Sequence, residues 1–132
     1  MVVISGVMVF TVVATGVASQ YDPGVMERTI RVRQAGRVAM PLPQTLPETD
    51  GAIAVLECGR IGETWYFMFP DGTIELFLIA DCAGDASTRN WMVRNNILAE
   101  VDGPTALCHR FVGRGSPVAR VELIGTLSHL MY

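Results

Sequence analysis

The stretch Thr64-Trp65-Tyr66-Phe67-Met68-Phe69-Pro70-Asp71-Gly72-Thr73-Ile74-Glu75-Leu76-Phe77-Leu78-Ile79-Ala80 carries the clearest fold signal in the chain. Two runs rich in aromatic and branched side chains flank Pro70-Asp71-Gly72. Proline presets φ there and glycine accepts a positive φ, so the whole stretch predicts a β-hairpin.

Outward from the hairpin, residues 29–33, 52–57 and 118–124 are further short β-rich runs, several of them alternating apolar with polar side chains. Pro41, Pro43 and Pro47 mark a loop. Between Asp85 and Glu100 the pattern changes: Trp91, Met92, Ile97 and Leu98 are separated by polar residues, and Ser87 is placed to cap a single short helix. Gly113, Gly115 and Pro117 punctuate the chain before the closing strand. Several strands, one helix and a final strand suit a small all-β barrel.

The chain has 132 residues, enough for one domain and one core. Half of its residues are hydrophobic and 17% are charged, which argues against disorder. Net charge is -3, and all ten basic residues are arginine, with no basic run. That argues against a nucleic-acid surface. The absence of lysine removes Schiff-base and P-loop chemistry.

Residues 1–18 carry no ionisable side chain, and residues 7–14 are an almost unbroken apolar run. The run is short for a membrane span, and small residues offer cleavage points after Ala14 or Ala18, so the segment reads as an export signal. No basic residue precedes the run, which keeps an uncleaved anchor or a buried strand open. The domain expected after it spans residues 19–125, with a tail at 126–132.

Three segments together resemble landmarks of the rare lipoprotein A, expansin and barwin group: Ala18-Ser19-Gln20-Tyr21-Asp22-Pro23-Gly24, Leu78-Ile79-Ala80-Asp81-Cys82-Ala83-Gly84, and Gly113-Arg114-Gly115-Ser116-Pro117-Val118-Ala119-Arg120-Val121-Glu122-Leu123. The resemblance implies a six-stranded double-psi β-barrel, opened by the Ala-Ser-x-Tyr strand and closed by the valine-rich one. It also implies action on polysaccharide outside the cytoplasm, as lytic cleavage of peptidoglycan or as binding and loosening of a wall, with Asp81 as the central residue. Where the rare lipoprotein A pattern has a histidine after paired small residues, this chain has Leu56.

Asp81 ends an apolar strand, where rigid backbone can hold a partly desolvated carboxyl for general-acid use; the plainer role is a turn cap. Glu57 is the candidate second catalytic carboxylate, or an ordinary solvent-facing strand residue. Tyr21 and Asp22 are candidate sugar-binding residues, the ring for stacking and the carboxylate for hydroxyls, although Asp22-Pro23-Gly24 is equally a turn. Trp65 and Trp91 are better placed for packing than for a sugar platform. Cys58 and Cys82 each end a strand, and export would pair them in a disulfide, leaving Cys108 over. No spacing suits a metal, even at Cys108-His109, and no cofactor is called for.

The sequence therefore predicts an exported or surface-associated domain that binds or remodels cell-wall polysaccharide. The alternative is a non-catalytic structural or interaction subunit of an extracellular or viral assembly, with self-association and a membrane contact only through the N-terminal segment.

Overall fold

The computed structural model of the protein describes residues 1–109, 111 and 115–130. Among them seven strands form one mixed sheet: β1 (Val2–Ser5), β2 (Met8–Gln20), β3 (Gly51–Val55), β4 (Thr64–Met68), β5 (Ile74–Cys82), β6 (Ile97–Val101) and β7 (Ser116–Thr126). Their order is β1-β2-β6-β3-β5-β4-β7, and β7 pairs with β2 as well as with β4. Four helices accompany them: α1 (Val25–Gln34), α2 (Ala86–Arg94), α3 (Gly103–Cys108) and α4 (Leu127–Leu130). The expectation of an all-β, six-stranded double-psi barrel with one short helix is corrected by this architecture: the chain is mixed α/β, with seven strands in one sheet and four helices. Gly113 and Arg114 of the third landmark lie outside the described residues, as do Met131 and Tyr132 of the expected tail.

The errors have local causes. Residues 29–33 alternate at period two, yet they belong to α1. Met26 and Ile30, one helical turn apart, pack against the sheet, while Val32, which the strand pattern needed inside, is 47% exposed. Arg31 and Arg33 sit in the last turn of α1, where they complement the helix dipole. In α2 the cap is Asp85 rather than Ser87: Asp85 Oδ1 accepts from the Thr88 amide at 2.7 Å. The helix then stops at Arg94, Asn96 turns the chain at φ 53°, and Ile97 and Leu98 enter β6 instead of extending a helical stripe.

The β4–β5 hairpin forms as the sequence predicts. The Gly72 amide donates to the Phe69 carbonyl at 2.9 Å, Gly72 takes φ 85°, and Asp71 Oδ1 accepts from the Thr73 amide at 2.9 Å. On one side the sheet buries Phe67, Phe77, Ile53, Ile79 and Val101, each large side chain contributing roughly 1.5–3 kcal/mol. Opposite, α1 and Leu42 of the proline loop cover Ala52, Ala54, Leu78 and Ala80. His109, at the end of α3, is buried against the hairpin, with Nε2 2.5 Å from Glu75 Oε1 and its ring stacked 3.6 Å from Phe69.

Residues 1–18, for which export, anchor and strand readings stood open, are sheet strands in this structure. β2 pairs antiparallel with β7 from Met8 to Ala18 and parallel with β6 from Val17 to Gln20, and Phe10 is fully buried. Gly16 permits the close approach: a Cβ there would stand 2.6 Å from the Asn96 carbonyl oxygen and 2.7 Å from Leu98 Cγ. Among the described residues no helix is long and apolar enough to cross a membrane.

Candidate functional site

Asp81 owes its position to an irregularity in strand pairing. β3 and β5 run parallel with Ala52 opposite Leu78 and Ile53 opposite Ile79; the register then shifts, so that Ala54 faces Asp81. The extra residue is Ala80. Without it, strict alternation after Phe77 and Ile79 would point Asp81 into the main core; the bulge turns it to the α1 side, where Ala54 lies.

There Asp81 is held from two directions. Arg33, on the last turn of α1, donates from Nη2 to Asp81 Oδ1 at 2.8 Å, and the Tyr21 hydroxyl donates to Oδ2. Arg33 Nη1 also donates to the carbonyls of Ala39 and Met40, at 3.1 and 3.2 Å, tying the loop to the same carboxylate. The ion pair is mostly buried, with side-chain exposures of 14% and 16%, so loss of either partner strands a charge. Burial and the Asp81 carboxylate push the Tyr21 phenol far above its ordinary range. Tyr21 is therefore a neutral donor at all physiological pH values.

A cleft of about 340 Å³ opens beside this pair, lined among others by Tyr21, Asp22, Ala54, Asp81, Asp85 and Glu100. Glu100 comes from β6, where it faces Ala54 from the side opposite Asp81. The two acidic residues thus flank one β3 residue, with backbones about 10 Å apart, two strand spacings. Burial raises the Glu100 carboxyl above its ordinary value, the nearby Ser19 hydroxyl offsets part of the rise, and the negative charges of Asp22 and Asp81 add to it. The cleft therefore sets a carboxyl that resists ionisation opposite a carboxylate in an ion pair.

Of the residues singled out in the sequence, Tyr21, Asp22 and Asp81 meet in this cleft. Glu57 does not: it lies beside a short turn, 63% exposed, and pairs with Arg60 at 3.2 Å. Asp85 lines the cleft while capping α2. Cys58 and Cys82 are joined by a disulfide with Cα atoms 4.9 Å apart, which anchors the residue after Asp81; Cys108 is free and exposed. Trp65 lies against the main core beneath the Arg120 guanidinium, 3.9 Å from its ring centroid, which covers that ring face.

Sequence reasoning missed Glu100 and Arg33. Glu100 was hidden in a segment read as helix, where it marked only the end of a stripe. Arg33 was hidden in a run read as strand. The signal that finds Glu100 is the alternation Ala99-Glu100-Val101, small and apolar residues facing the core and the acid facing away. Among the described residues no group of three or more His, Cys, Asp or Glu is gathered closely enough to hold a metal ion. Compared with protein-family profiles, curated proteins and solved structures, the chain matches none.

Proposed function

We propose that the Asp81 cleft binds a polysaccharide of a cell wall and acts on its glycosidic bonds, in an exported or surface-associated setting. The observation that carries this is the placing of two differently engaged carboxyl groups across Ala54: Glu100, raised by burial, and Asp81, in a mostly buried ion pair with Arg33. Glycosidic cleavage needs one carboxyl that keeps its proton and one carboxylate that stabilises positive charge or activates a nucleophile. In this scheme Glu100 gives its proton to the leaving oxygen as the C–O bond breaks, Asp81 stabilises the developing positive charge on the sugar, and water or the sugar's own 6-hydroxyl then adds to the anomeric carbon and returns a proton to Glu100, giving a reducing or an anhydro end. Asp81 does not fit the acid role, because both of its oxygens already accept hydrogen bonds. Tyr21 offers an aromatic edge to a sugar ring. The disulfide is consistent with an oxidising compartment.

The test is release of reducing or anhydro ends from purified wall glycans. Glu100→Gln is expected to lower turnover about 100-fold or more, within the range for loss of a general acid, with the thermal transition retained. Equal turnover by wild type and Glu100→Gln would refute the assignment.

One observation favours the alternative of a structural or interaction subunit. Val2, Ile4, Val7, Val13, Leu123 and Ile124 are exposed apolar residues on the neighbouring strands β1, β2 and β7 and the turn between the first two, and β1 ends the strand order. Sedimentation of the intact chain as an oligomer, with no glycan turnover, would shift the assignment to that class.

A further inference from the structure

Towards the C-terminal end of α2 a second cavity, of about 310 Å³, opens between Met92 of that helix, Val55 and Leu56 where β3 ends, Ile97 and Leu98 at the start of β6, and Trp65. It shares no lining residue with the Asp81 cleft. Successive strand residues point to opposite faces, so Ala54 lines the cleft and Val55 the cavity. One cation enters these largely aliphatic walls: Arg120 of β7, held 3.9 Å from the Trp65 ring centroid. Its guanidinium is under-engaged. Among the described residues only Nη2 has a partner, Glu122 Oε1 at 3.3 Å, and Glu122 is 56% exposed, so water screens and weakens that pair. Arg120 Nε is buried with no partner, and so is Trp65 Nε1, although buried donors in folded proteins nearly always find an acceptor. Glu57, the cavity's one acidic lining residue, is mostly in solvent and pairs with Arg60.

We propose that this cavity is a second binding site, for a medium-chain aliphatic carboxylate. The chain lies against Val55, Met92, Ile97 and Leu98, and the carboxylate takes the Arg120 guanidinium. Two features select that chemistry. Arginine's planar fork meets a carboxylate through paired N–H···O bonds, and the donors that Glu122 leaves open supply them. The aliphatic walls reward a hydrocarbon chain and penalise a sugar, whose hydroxyls would lie there without partners. The volume falls at the lower end of the range for small-molecule pockets, which suits a single short chain rather than a two-tailed lipid. The proposal stands apart from the glycan reading, since neither site borrows a residue from the other.

The experiment is calorimetric titration of the full-length chain at neutral pH with octanoate and, separately, with octanol. It is paired with tryptophan emission of Trp91→Phe, in which Trp65 is the one remaining indole. The expected result is saturable binding of octanoate at least about tenfold tighter than that of octanol, the factor that one charge-assisted hydrogen bond supplies. Trp65 emission is expected to shift over the same concentrations, and Arg120→Gln to bring octanoate down to the affinity of octanol. Equal affinity of the wild type for the two compounds, or no binding of octanoate, would overturn the proposal. So would octanoate binding that leaves Trp65 emission unchanged or that keeps its full strength in folded Arg120→Gln, since the ligand would then sit elsewhere. The wild-type titrations decide the ligand class by themselves, so a variant that fails to fold does not rescue the proposal.

Discussion

Removing the Cys58–Cys82 bridge is the perturbation whose size follows most directly from the structure. The bridge closes a loop with a sequence separation of 24, for which loop-closure entropy gives about 3.5 kcal/mol at room temperature. Unfolding entropy of roughly 2.1 cal/mol/K per residue scales to about 280 cal/mol/K for 132 residues. The reduced protein, or Cys58→Ser/Cys82→Ser, is therefore expected to melt about 12 °C lower. The measurement is thermal and guanidinium unfolding followed by circular dichroism, with and without reductant. The guanidinium slope should rise on reduction, because the unlinked chain exposes more surface when unfolded. Cys82 also lines the cleft and follows Asp81 in sequence, so reduction should weaken ligand binding under conditions where the fold persists. A fall in melting temperature under about 3 °C, with an unchanged slope, would refute the reasoning: it would mean the bridge does not constrain the unfolded chain.

Three further outcomes are expected. Glu100, with its folded value raised above the ordinary 4.5, favours the folded state fully below that ordinary value, and this contribution is lost as pH rises through the raised one. Glu100→Gln, always neutral, should therefore flatten the stability profile between mildly acid and neutral pH and be more stable than wild type at the neutral end; an unchanged profile would count against the raised value. Gly16→Ala should cost about 1–3 kcal/mol in denaturant unfolding, since the new methyl meets a backbone carbonyl that cannot yield easily. A chain lacking residues 1–18 loses β1 and most of β2 together with Phe10 and Ala18, and should show no cooperative unfolding transition. A folded truncated product would return the segment to the role of a leader.

Local chemistry was readable where one short stretch decides its own conformation. The β4–β5 hairpin follows from Pro70-Asp71-Gly72 between two β-rich runs, and the turn's hydrogen bonds all lie within five residues. Cys82 ends β5 as the sequence reading has it, whereas Cys58 lies beyond the end of β3 at the start of a short 3-10 turn, and the two meet in the disulfide. Asp81, Tyr21 and Asp22 were marked as site residues by their positions at the end of an apolar strand and the opening of a landmark motif. Period-two alternation misled at residues 29–33 because arginine can snorkel from a helix as easily as it can face solvent from a strand. The pattern does not say which side the neighbouring sheet will cover.

The identity of the turn was thus set by residues near one another in the chain. The chemistry of the cleft was not. Whether Asp81 faces the core or the cleft depends on one bulge between β3 and β5. Glu100 depends on β6 lying beside β3, and Arg33 on α1 docking across that face. These groups are separated by 48 positions between Arg33 and Asp81, and no local pattern encodes such a meeting. A carboxyl's tendency to hold its proton comes from burial and neighbouring charge, and both exist only once the sheet has been assembled.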